Sequence, residues 1–126
     1  MVHVPKRRAA TILVVEDDQG ISELYSLLLV SQGYDVLIAR SAQAALTDSA
    51  TRSIDGVLLD RRLPDMDGLT LCPILREQLG PTVPVIMITA DHGTGLEAAA
   101  HAAGATDFLQ KPFRNEDLLR RLAAHL

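Results

Sequence analysis

Residues Gly56–Gly68 read GVLLDRRLPDMDG. Val57, Leu58 and Leu59 form a short apolar run that passes straight into Asp60. Two arginines, Pro64 and the Asp67–Gly68 pair follow. Short apolar runs bounded by turn residues read as strands buried on both faces, and Asp-Gly marks a turn. A buried strand that ends on a carboxylate asks for a charge partner at its mouth.

The same pattern recurs along the chain. Thr11–Val15 (TILVV) reads as a strand, and Ile21, Leu24, Tyr25 and Leu28 then recur at helical spacing up to Gly33. Tyr34–Ala39 reads as a second strand, after which Ser41 caps an alanine-rich helix. Ile54–Leu59 is the third strand. Leu71, Leu75 and Leu79 mark one face of the next helix, with Pro73 placed in its first turn. Pro84–Thr89 is a strand, Gly95–Ala103 a helix stopped by Gly104, Thr106–Gln110 a strand and Asn115–Leu126 the last helix.

Five β-α units in strict alternation predict a single α/β domain, a doubly wound (βα)5 fold with a parallel sheet covered on both faces. Right-handed crossovers point all strands the same way, so their C-terminal ends share one edge, where ligands bind in such folds. The expected organisation is an arm over residues 1–10 and a domain over residues 11–126. Lys6, Arg7 and Arg8 in the arm are read as solvated tail.

Bulk properties bound the function. The 126 residues carry 48% hydrophobic and 22% charged side chains, an ordinary soluble composition long enough for a core without staples. A net charge of −4 argues against non-specific gripping of nucleic acid. The apolar runs are too short to span a membrane. One cysteine, Cys72, rules out an internal disulfide and fits a cytoplasmic location. It is read as half-buried packing. The four histidines have no metal-ligand spacing.

The strand ends carry the chemistry. The first ends at Glu16, Asp17 and Asp18, the third at Asp60, the fourth at Thr89 and the fifth at Lys111. Taken singly, each has a structural explanation, such as a helix N-terminus, a turn cap or a solvated lysine. Their convergence on one edge points elsewhere. Clustered carboxylates repel one another unless a divalent cation sits among them, and all-oxygen ligands favour Mg²⁺, Ca²⁺ or Mn²⁺. A lysine nearby suits phosphate, and a carboxylate beside metal and lysine can attack phosphorus.

The segments ILVVEDD, VLLDRRLPDMDG, VIMITA, AGATDFLQKPF and NEDLLRRL resemble the receiver domain of two-component response regulators, over about Thr11 to Leu126. The resemblance implies a flavodoxin-like sheet of order 2-1-3-4-5. It makes Asp60 the acceptor of a phosphoryl group from a sensor histidine kinase or a histidine phosphotransfer protein. Glu16, Asp17, Asp60 and the Arg62 backbone carbonyl would hold Mg²⁺, with Mn²⁺ also possible. Thr89 and Lys111 would contact the phosphoryl group, Phe108 would switch with Thr89, and Lys111–Pro112 would be cis. The resemblance further implies a signalling switch rather than an enzyme acting on other substrates. A downstream protein or effector domain would read the surface of the fourth helix, fifth strand and fifth helix.

Two departures stand out. Arg62 and Asp91 lie two residues past Asp60 and Thr89; the resemblance implies that these positions flank the path of an attacking water, and the two are expected to pair and slow phosphoryl hydrolysis. Asp107, Asp117 and Arg121 resemble part of a charged dimerisation set, yet Glu97 stands where a base is expected and Ala103 where an acid is. The competing reading is a phospho-independent interaction module of the same fold. The chain stops after the fifth helix, which leaves a stand-alone receiver and a piece of a longer regulator both open.

Overall fold

The apolar runs form five parallel strands in the order β2-β1-β3-β4-β5: β1 (Thr11–Val15), β2 (Asp35–Ala39), β3 (Gly56–Asp60), β4 (Val85–Thr89) and β5 (Asp107–Gln110). A computed structural model describes residues 9–126. Residues 1–8 of the expected arm lie outside the described residues. Helices α1 (Gln19–Ser31), α2 (Ala42–Thr51), α3 (Gly68–Leu79), α4 (Leu96–Ala102) and α5 (Asn115–His125) connect and follow the strands.

Side-chain alternation divides the core into two layers. Leu13, Val15, Val57, Leu59, Val85 and Met87 face α2, α3 and Ala100 of α4. Ile12, Val14, Leu58, Ile86, Ile88 and Leu109 face Tyr25 and Leu29 of α1 and Leu118 and Leu122 of α5. Burying each such side chain contributes roughly 1.5–3 kcal/mol. The strand termini therefore sit on a stiff platform.

Three expectations need correction. In α1 the buried positions are Ser22, Tyr25 and Leu29, while Leu24 is 49% and Leu27 72% exposed. The run Leu27–Val30 is apolar all round, so spacing alone could not choose the face. Pro73 is the sixth residue of α3, in its second turn. It is exposed, so the Leu69 carbonyl that loses its helical donor lies on the solvent side. Cys72 is fully buried rather than half-buried, because it points at the sheet beside Leu71 and Leu75.

At the N-terminal edge of the sheet one side chain ties several segments together. The Arg76 guanidinium donates to the carbonyls of Gly80 (3.0 Å), Gly104 (2.7 and 3.1 Å) and Val83, and to the Thr106 hydroxyl (3.3 Å). It thereby joins the end of α3 to the entries of β4 and β5.

Candidate functional site at the C-terminal edge of the sheet

β1 passes directly into Glu16, whose backbone N–H still pairs with the Ala39 carbonyl at 3.0 Å. Ladder pairing fixes this residue, and its side chain is 1% exposed. Asp17 and Asp18 are exposed. Asp18 is spent on the helix: it caps α1, accepting from the Ile21 N–H at 2.9 Å. Asp60 closes β3, next to β1 in the sheet. Ligand atoms of Glu16, Asp17 and Asp60 all lie within 4.8 Å of one another. Among the described residues this is the one such group of His, Cys, Asp and Glu able to share an ion.

Both carboxylate oxygens of Glu16 are buried with no hydrogen-bond partner. Burial, then the Asp60 carboxylate and more weakly Asp17, push the Glu16 carboxyl up to about 8, against a lowering pull from Lys111. Lys111 Nζ stands 3.6 Å from Glu16 Oε1. Burial and the charges of Glu16 and Asp60 also raise the Tyr25 phenol. Tyr25 stacks on Phe113 at 6.4 Å between ring centres. The Lys111–Pro112 peptide is cis.

The loop after Asp60 is folded back by its own residues. The Gly68 N–H donates to the Arg61 carbonyl at 2.6 Å. A Cβ on Gly68 would fall 2.6 Å from the Asp60 carbonyl oxygen and 2.8 Å from Arg61 Cα, so only glycine allows this approach. Asp65 reaches across to the start of α2 and accepts from the Ala42 (2.8 Å) and Gln43 (3.0 Å) amides, which lowers its carboxyl. The Arg62 amide donates to Asp60 Oδ1 at 3.2 Å.

Arg62 and Asp91 meet. Arg62 Nε and a terminal nitrogen donate to both Asp91 oxygens at 3.1–3.3 Å. That bond holds the Asp91 carboxyl below its usual range and raises the Arg62 guanidinium. Arg61, which sequence reasoning left aside, also reaches Asp91 at 3.2 Å and approaches Asp67 at 3.5 Å. Thr89 is buried at the end of β4, and its hydroxyl oxygen accepts the Asp91 N–H at 3.0 Å. Phe108 is half-buried and lines an open cleft of about 520 Å³ with Leu96, Glu97, His101 and Gln110.

Asp107 is paired within the chain, to Arg121 at 2.8 Å and His125 at 3.1 Å, and Asp117 to Arg120 at 2.7 Å. The charges expected on a dimerisation face are thus engaged internally. Asp65, Gln110 and Arg61 act through contacts 18 to 30 residues away in sequence, which no local spacing announces. Gly68 was signalled, since it belongs to the Asp-Gly turn of the opening stretch.

A family model described as the response regulator receiver domain matches residues 12–123. The DNA-binding response regulator MtrA of Mycobacterium tuberculosis is 36% identical over 115 residues, which cover 91% of this chain and 50% of that protein. The chain spans about half the length of the curated relatives it matches. The CheY-like receiver domain protein of Methanospirillum hungatei superposes with a TM-score of 0.87 at 30% identity, covering 93% of each chain. The receiver domain of the sensor histidine kinase PA1611 of Pseudomonas aeruginosa, with magnesium coordinated in its active site cleft, gives 0.83 at 32% identity over 93% and 97%. This chain belongs to the response regulator receiver domain family.

Proposed function

We propose that Asp60 accepts a phosphoryl group from a phosphohistidine of a sensor histidine kinase or histidine phosphotransfer protein. The surface of α4, β5 and α5 would then carry the signal to a downstream protein or effector domain. The supporting observation is the buried Glu16 carboxylate without a hydrogen-bond partner, within ligand reach of Asp17 and Asp60 and beside Lys111. Three crowded oxygen donors fit a hard divalent cation, Mg²⁺ or Mn²⁺. Glu16, Asp17, Asp60 and the backbone carbonyl of Arg62 would hold it. When bound, the cation neutralises charge on the phosphoryl oxygens.

The residues of the chain supply the rest. An Asp60 oxygen forms the O–P bond as the P–N bond of the phosphoimidazole breaks, the bonding pair returning to nitrogen. Lys111, whose Nζ lies 3.6 Å from Glu16 Oε1, would turn to a phosphoryl oxygen. The Thr89 hydroxyl donates to another, and Phe108 moves into the space this leaves. The paired Arg62 and Asp91, two residues past Asp60 and Thr89, slow hydrolysis of the acyl phosphate. The switch catalyses only its own phosphotransfer and dephosphorylation. We further propose one unit over residues 11–126 after an arm over 1–10, acting in the cytoplasm with no nucleic acid or membrane contact of its own. No described helix is long and apolar enough to cross a membrane.

The test is intact mass after incubation with acetyl phosphate and Mg²⁺. One added phosphoryl group is expected on the wild type and none with EDTA. No adduct on the wild type with any donor would replace this reading with a phospho-independent interaction module.

A further inference from the structure

Gln110 ends β5 and stands opposite Thr89 in the β4–β5 ladder. Alternation places its side chain on the same face as Phe108, two residues earlier, and both line the cleft beside α4. Its side-chain amide nitrogen donates to the Asp91 carbonyl at 2.7 Å and to His92 Nδ1 at 2.8 Å. The pair uses both amide hydrogens and puts the His92 proton on Nε2. The Asp91 amide in turn donates to Thr89 Oγ1. Thr89, Asp91 and Gln110 thus form one continuous chain of hydrogen bonds from the floor of the site to the strand that carries Phe108. Neither Gln110 contact belongs to the helices or the sheet ladder, and each crosses from β5 to the β4–α4 loop.

We propose that Gln110 is a positioning residue that sets the threshold of the phosphoryl response. This rests on the function proposed above. Phosphoryl oxygens only accept hydrogen bonds, so Thr89 must turn its hydroxyl toward them as a donor. In the proposed response that reorientation takes Oγ1 off the Asp91 amide, a contact the hydroxyl oxygen makes only as acceptor. Gln110 opposes it, because its two bonds hold Asp91 and His92 where the Thr89 contact is made. The clasp stabilises the arrangement with Thr89 engaged to Asp91 and leaves the metal ligands untouched. By linkage, removing it must raise affinity for any ligand that prefers the turned Thr89.

Gln110→Met keeps the length and apolar stem and loses both donors. Gln110 is exposed, so the variant is expected to fold, and its thermal melting is checked first. Two measurements follow. In the first, made without phosphodonor, amide hydrogen exchange at residues 91–95 should quicken several-fold in Gln110→Met. Unchanged exchange would show that the clasp holds nothing and overturn the proposal. In the second, beryllofluoride with Mg²⁺ serves as the phosphoryl probe. Its affinity should rise about fivefold, the worth of one neutral hydrogen bond, with Mg²⁺ affinity alone unchanged. Equal or weaker beryllofluoride affinity would overturn the proposal even if exchange quickens. A wild type that binds Mg²⁺ but no beryllofluoride would overturn the phosphoryl function itself, and the threshold role with it.

Discussion

The two edges of the sheet treat charge in opposite ways. At the N-terminal edge, Arg76 places its guanidinium among three carbonyls and a hydroxyl, all neutral, and each of its nitrogens that faces protein has an acceptor. At the C-terminal edge, Glu16 is more deeply buried than Arg76, beside two further carboxylates, and neither of its oxygens is hydrogen-bonded. Charge satisfied by fixed dipoles is structural and silent. Charge left unsatisfied costs stability and can be held only if something else completes it. The same five strands thus end in a fastened base and an edge poised for a ligand.

The sharpest break in this comparison is Asp60→Asn. It should abolish the phosphoryl adduct in the mass measurement, while the metal-free fold gains stability above pH 8, where an ionised Glu16 no longer faces the Asp60 charge. An adduct that survives the substitution would move the acceptor elsewhere.

Next, Arg76→Met should destabilise the fold by about 3 kcal/mol in urea unfolding, since several carbonyls lose their donor at once. Its Mg²⁺ affinity should stay at the wild-type value. A change in both would mean that the two edges are not independent.

Glu16→Gln should separate stability from function with a smaller effect. Mg²⁺ affinity should fall about tenfold. Metal-free stability at alkaline pH should rise. The sign follows from the raised carboxyl. The folded wild type keeps at about 8 a proton that the unfolded chain releases near its ordinary carboxylate value. Metal-free stability therefore declines as pH rises between those values and levels above 8. Glu16→Gln should flatten that decline.

The smallest effect belongs to Arg62→Ala. Arg62 is largely exposed, so fold stability should hardly move. The phosphoryl lifetime should shorten a few-fold, followed by mass. An unchanged lifetime would reduce the Arg62–Asp91 pair to a surface ion pair, and Arg61 would be the next to test.

Much of this was legible in the sequence. Apolar runs of five or six residues between helical patterns are readable because the central strands β1, β3 and β4 are buried on both faces, and topology then brings Glu16, Asp60, Thr89 and Lys111 to one edge. The orientation of α1 was not readable, since Leu27–Val30 offers no polar side and contact with the sheet chose Tyr25 and Leu29. Arg76 looked like any helix-surface arginine, because its acceptors belong to segments up to 30 residues away. Gln110 looked neutral for the same reason: its partners, Asp91 and His92, become neighbours only when β4 and β5 pair.

The cluster of Glu16, Asp17 and Asp60 at the C-terminal edge, with the Glu16 oxygens unsatisfied, is built for a divalent cation. Calorimetric titration with Mg²⁺ at pH 6 and pH 8 tests it most directly. Binding must displace the Glu16 proton, so affinity should rise by about tenfold per pH unit toward pH 8, with proton release. Absence of binding at both values would contradict it, and equally tight binding would contradict the raised Glu16 carboxyl.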